Sequence, residues 1–269
     1  MPIIDAHVHT IDNYPSMTPD HDKGSLTRLL YYMDGSGVDK SIMLPVIGPA
    51  SPGNNQECAQ WVKEHPDRLA MLADVPMHQP DAAQRVQRAR EEFGAVGTSY
   101  YPSTPDLKWM LDAAQEPLWA AYRRTGLVCN LHVGPPNYAT LLELVQQQSE
   151  VVFTLNHMGC PGGMELDDGA YDTLLAGAAH ANLFVKASAF YGAAATPWDF
   201  RCERALGFFQ RLLQSYGPDR LLWGTDWPPA GRHLTYQQGL EIVRTFATGM
   251  DDDERALVLG GNAARVFEI

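Results

Sequence analysis

The run Ile3-Ile4-Asp5-Ala6-His7-Val8-His9-Thr10 joins an apolar, β-prone start to two histidines two residues apart. In an extended segment side chains alternate, so both imidazoles turn to the same side. One strand then offers two metal ligands, or two hydrogen-bonding groups, at one spot. Similar short apolar runs recur down the chain, each followed by sequence compatible with a helix.

After a first strand over 3–8, further strands are expected at 41–46, 69–75, 95–101, 127–133, 151–157, 183–190 and 221–226. Helices are expected at 26–36, 57–64, 81–93, 117–125, 138–148, 171–180, 201–216 and 251–259. Ser25 and Asp81 stand where caps belong, while Gly37 and the Gly217-Pro218 pair mark helix ends. The polar stretches 10–24 and 49–54 read as loops. Strands each followed by a helix predict a parallel (β/α)8 TIM barrel, α/β in class, formed as a single domain over 1–269. Catalytic groups in such a barrel gather at the carboxyl ends of its strands.

A chain of 269 residues with 45% hydrophobic content is long enough to fill such a barrel. The formal net charge of −12 argues against nucleic acid and anionic membranes as partners, because phosphate is bound by basic surface. It leaves small-molecule substrates open, since these answer to local charge, and is compatible with a homo-oligomer. Cys58, Cys129, Cys160 and Cys202 form no C-x-x-C pair and suit reduced thiols in a cytoplasm. No basic segment precedes an apolar core at the N-terminus, and no uninterrupted apolar run is long enough to span a bilayer, so neither a cleaved leader nor a membrane anchor is expected.

His7 and His9 end the first predicted strand, His132 the fifth, His157 the sixth and Asp226 the eighth. A single polar residue at a buried strand end is most simply a satisfied core group or a cap; five at equivalent ends point to one shared site. Imidazole nitrogen and carboxylate oxygen suit one borderline divalent ion such as zinc, which acidifies water to a pKa of about 7. In this reading His7, His9, His132 and Asp226 hold or flank the metal. Asp226 doubles as general base, and His157 polarises a substrate carbonyl or shuttles a proton. Tyr100, Tyr101, Tyr191, Trp227, Arg232 and His233 lie near strand ends and are candidate substrate contacts, with packing as the alternative for each. Trp109, Met110 and Trp119 read as core.

The segments IIDAHVH, LHVG at His132, NHMG at His157, WGTDWP at Asp226 and the closing GNAARVF together resemble the amidohydrolase superfamily, specifically its amidohydrolase-related branch. The resemblance covers essentially the whole chain. It implies a (β/α)8 barrel and a site at His7, His9, His132, His157 and Asp226. The branch includes lactonases, some of which work without a metal, and metal-dependent decarboxylases of aromatic or muconate-type acids. Hydrolysis of a lactone or ester is the expected reaction, with decarboxylation as the alternative and a non-catalytic binding barrel as a third reading. Many superfamily members bridge two metals with a carboxylated lysine on strand four, where this chain has Ala95 to Tyr101 and no lysine. Lys186, on strand seven, is expected to pack its stem and pair its amine with a carboxylate. Phosphoesterases of the polymerase-and-histidinol-phosphatase type also open on D-x-H-x-H, but their closing carboxylate is typically followed two residues later by histidine; here that position is Pro228.

Overall fold

Parallel strands β1 (Ile4–Val8), β2 (Lys40–Met43), β3 (Leu69–Asp74), β4 (Gly97–Tyr100), β5 (Val128–Leu131), β6 (Phe153–Leu155), β7 (Leu183–Ala187) and β8 (Leu221–Trp223) pair in sequence order. In this computed structural model residues 1–269 are described except 13, 15, 16, 18, 49, 50 and 103–105, so the expected loops at 10–24 and 49–54 lie partly outside the described residues. Parallel neighbours demand crossovers. The helices supply them: α1 (Leu26–Ser36), α2 (Asn54–Glu64), α3 (Ala82–Glu91), α4 (Glu116–Thr125), α5 (Tyr138–Gln147), α6 (Gly169–Ala176) and α7 (Glu203–Tyr216). The chain finishes with α8 (Tyr236–Glu241), α9 (Asp252–Ala256) and α10 (Asn262–Phe267).

Local signals act where the sequence places them. Gly37 ends α1 in the left-handed conformation, and Asp251 with Glu254 forms a reciprocal capping box at α9. Ser25 and Asp81 occupy cap positions without a side-chain cap bond; the Asp81 carboxylate instead accepts from Arg85.

Two apolar layers form. Ile4, Ala6, Ile42, Leu44, Leu72, Val128, Phe184 and Leu222 fill the barrel, closed from below by Ala263 and Phe267 of α10. Leu29, Met33, Val86, Met110, Trp119, Leu144, Phe208 and Leu212 lie in the layer between sheet and helices. Full burial of such side chains contributes roughly 1.5–3 kcal/mol each. Trp109 is half-buried against the second layer. Gly260 allows the C-terminal segment to close on β1, since a Cβ there would meet the Pro2 carbonyl oxygen at 2.0 Å. No helix among the described residues is long and apolar enough to cross a membrane.

Several strands are shorter than the sequence suggests. β6 stops at Leu155 and β8 at Trp223, so His157 and Asp226 lie in the turns beyond the ladder. The barrel is closed there by the site residues' own backbones. The Asp226 N–H donates to the His7 carbonyl at 2.9 Å, and the His9 N–H to the Trp227 carbonyl at 2.7 Å.

Candidate active site

His157 and Asp226 both take left-handed backbone conformations, with φ of 55° and 62°. For residues other than glycine this costs on the order of 1–3 kcal/mol, and here it turns both side chains back over the barrel mouth. Beneath them the Asp5 carboxylate ties β1 to the segment after β8. It accepts from the Thr225 N–H at 2.9 Å, the Thr225 hydroxyl at 2.6 Å and the His7 N–H at 3.1 Å. Gly224 permits the approach, because a Cβ would lie 2.9 Å from that of His7.

Asp226 Oδ1 is 3.4 Å from His7 Nε2, 3.2 Å from His9 Nε2 and 4.0 Å from His157 Nε2. The two Nε2 atoms of His7 and His9 are themselves 3.2 Å apart. Backbone and side-chain partners orient two of the rings: His9 Nδ1 lies 2.9 Å from the Leu44 carbonyl, and His157 Nδ1 2.9 Å from the Ser188 hydroxyl. A carbonyl can only accept, so His9 Nδ1 donates and its Nε2 presents a lone pair inward; the His157 ring is likewise turned with Nε2 inward. His7, His157 and Asp226 offer ligand atoms all within 4.8 Å of one another. Lone pairs converging beside a carboxylate oxygen repel unless a proton or a cation lies between them, so this donor set fits a divalent ion.

Burial drives the His7 imidazole well below its ordinary range, aided by the neighbouring His157 and Lys186 charges. It also pulls His157 down to about 4 and lowers His132, against the opposing pull of Asp226. These rings are therefore neutral at neutral pH and free to act as ligands or hydrogen-bond donors. Burial alone would raise Asp226; His157, His9 and the Tyr191 hydroxyl, which donates to Oδ2 at 2.5 Å, outweigh it and keep the carboxylate ionised. Above the cluster lies a cavity of about 360 Å³, bounded by Tyr101, His132, Cys160, Ala189, Tyr191 and Ala193 among others. Its wall contains no Lys or Arg among the described residues.

The structure thus brings His7, His9, His157 and Asp226 together and sets His132 further out, stacked on Tyr101 at 4.9 Å with Cys160 Sγ 3.6 Å from its Nε2. His157, expected to act on the substrate, lies closer to the ligand cluster than His132, which was expected among the ligands. Tyr191 is on the cavity wall as anticipated. Tyr100 is not: it is buried, meeting Trp109 edge-on, because Ser99 takes the inward position, where it accepts from Asn130 Nδ2. Tyr101 faces the site instead, its hydroxyl 3.3 Å from His7 Nε2. Alternation from the inward Ser99, Asn130 and Thr154 ladder was the signal for this exchange. Trp227 and Arg232 line a different cavity, on the outer side of the loop after β8. Lys186 corrects another expectation. Its amine is buried with no hydrogen-bond partner among the described residues, the nearby Asp5 being engaged by Thr225 and His7. Ser188 and Cys160 carry no sequence signal of their own. Burial pushes the Cys160 thiol up to about 12, so it is protonated and no nucleophile.

A family model described as amidohydrolase matches residues 4–269. The chain belongs to the amidohydrolase family. Among curated proteins it is 27% identical over 172 residues to an L-fucono-1,5-lactonase of Burkholderia ambifaria, a match covering 61% of this chain and 58% of that protein's length. Among solved structures, an amidohydrolase from Burkholderia multivorans with bound zinc superposes with a TM-score of 0.83 at 19% identity, over 100% of both chains. A probable 2-pyrone-4,6-dicarboxylic acid hydrolase of Acinetobacter baumannii with citric acid bound gives 0.79 at 20% identity over 100% of both chains. A 2,6-dihydroxybenzoate decarboxylase from Rhizobium gives 0.74 at 17% identity, over 100% of this chain and 99% of that one. At these identities the structural likeness speaks for the barrel fold of this amidohydrolase.

Proposed function

We propose that this amidohydrolase hydrolyses a small uncharged lactone, adding water to the ester carbonyl and opening the ring. The observation that carries the reading is the cavity wall: an ionised carboxylate and neutral imidazoles beneath a pocket that holds no cationic side chain among the described residues. A carboxylate carried against the upper wall, away from the ion site at the floor, would stay unpaired there at a cost of several kcal/mol. The lactonase relative supports the same substrate class.

His7, His9, His157 and Asp226 would hold one divalent ion, zinc by the nitrogen and oxygen donors. The ion would supply positive charge that acidifies a water and draws electron density from the carbonyl. Asp226 takes the proton from the attacking water as the new C–O bond forms, its Oδ2 held by Tyr191. His132, on the wall and neutral, donates a hydrogen bond to the carbonyl oxygen as negative charge grows there. The ring C–O bond breaks, and Asp226 returns the proton to the leaving alkoxide. The product is a hydroxy acid that releases one proton at neutral pH. The unpaired thiols suit a reducing compartment such as the cytoplasm.

Neutral sugar lactones, 2-pyrone-4,6-dicarboxylate and dihydroxybenzoates should be assayed side by side, recording proton and carbon dioxide release. The expected result is one proton per neutral lactone, no carbon dioxide and little turnover of the carboxylated compounds. Carbon dioxide release would make the protein a lyase, and no turnover across the panel would favour a binding barrel.

A further inference from the structure

A second cavity, about 740 Å³, opens on the outer side of the loop after β8. That loop is a shared wall. Asp226 and Pro229 face the catalytic cavity, whereas Trp227, Pro228 and Arg232 face the outer one. Aromatic surface lines the outer side. Tyr32 meets Trp227 edge-on at 6.1 Å, and Tyr31, 74% exposed, extends this surface towards solvent. The charges nearby are mostly compensated: Lys23 pairs with Asp20 at 2.8 Å, and the wall's carboxylate, Asp34, with Arg68 at 2.8 Å. Arg232 is exposed and has no ion-pair partner among the described residues.

We propose that this outer cavity binds a small aromatic monocarboxylate, its carboxylate on the Arg232 guanidinium and its ring against Tyr31 and Tyr32. Arginine receives a carboxylate through two parallel N–H donors, and aromatic walls accept a flat ring by offset or edge contact. A cavity of this volume accommodates such a molecule with room for water. The occupant would also lie beside His233, whose ring stacks on Tyr191 at 4.9 Å, one hydrogen bond from Asp226. This site is independent of the reaction run in the histidine cavity.

Calorimetric titration of benzoate into the whole protein, up to about 10 mM, tests the site. Wild type should bind, Arg232→Ala should weaken binding about tenfold or more, and Arg232→Lys should restore part of the loss. His132→Ala, which alters the catalytic cavity, should leave benzoate affinity unchanged. Because Arg232 is exposed, its replacement leaves the core intact, and an unchanged melting curve checks this. Absence of binding in wild type, equal binding by Arg232→Ala, or loss in His132→Ala would each overturn the proposal.

Discussion

At the mouth of the barrel the Nε2 atoms of His7, His9 and His157 all lie within about 4 Å of Asp226 Oδ1. Deeper in the same barrel Lys186 is fully buried, and its amine finds no hydrogen-bond partner among the described residues. The two regions meet different ends of the same physics. Burial around a converging set lets mutual interactions keep Asp226 ionised, whereas burial of the Lys186 amine outweighs the Asp5 and Asp226 charges and pulls its pKa down to about 7. Polar groups at the rim are thus poised to act together, and the one below them strains the fold.

Replacing the rim carboxylate should have the largest effect. Asp226→Asn keeps the shape but loses the proton acceptor and an anionic ligand, so kcat/KM on an accepted lactone should fall by about a thousandfold with the fold retained by circular dichroism. An activity near that of wild type would remove Asp226 from the chemistry.

The interior lysine should respond in the opposite sense. Its ordinary pKa of 10.5 falls to about 7 in the folded protein, so between these values the unfolded chain binds more protons. Stability therefore rises with pH across that window, and the penalty is complete below about 7. Lys186→Met should stabilise the protein by on the order of 2–4 kcal/mol near neutral pH, a gain that fades towards pH 10.5. Denaturant unfolding at both ends of the window checks it; destabilisation at neutral pH would mean that the amine has a partner in solution.

Ser188 follows β7 immediately, two residues beyond Lys186, and joins the two regions. Its hydroxyl lies 2.9 Å from His157 Nδ1 and orients the ring with Nε2 towards the cluster. Ser188→Ala should lower kcat/KM about tenfold while moving the unfolding free energy by less than about 1 kcal/mol. A loss of stability with unchanged turnover would mark it as a packing residue.

The barrel was legible in the alternation of short apolar runs with helix-compatible sequence, and the rim in the positions of His7, His9, His132, His157 and Asp226 at the ends of those runs. The division of labour among the histidines was not legible. It depends on the left-handed turn that aims His157 inward, and no residue type at 157 announces it. Tyr100 and Tyr101 are adjacent, so a shift of one residue in strand register exchanges which of them reaches the cavity. Arg232 and Trp227 follow Asp226 closely in sequence, yet the loop they occupy has two sides, and spacing alone does not say which side each faces. The isolation of Lys186 depends on Asp5 already being occupied by Thr225, a residue 220 positions away.

The central claim is that His7, His9, His157 and Asp226 form one cation site, with His132 outside it. Calorimetric titration of zinc into chelator-treated protein tests it directly in wild type, His157→Ala, Asp226→Asn and His132→Ala. The account predicts one tight ion per chain in wild type and His132→Ala, and its loss in the other two. Tight binding that survives His157→Ala but disappears in His132→Ala would contradict it.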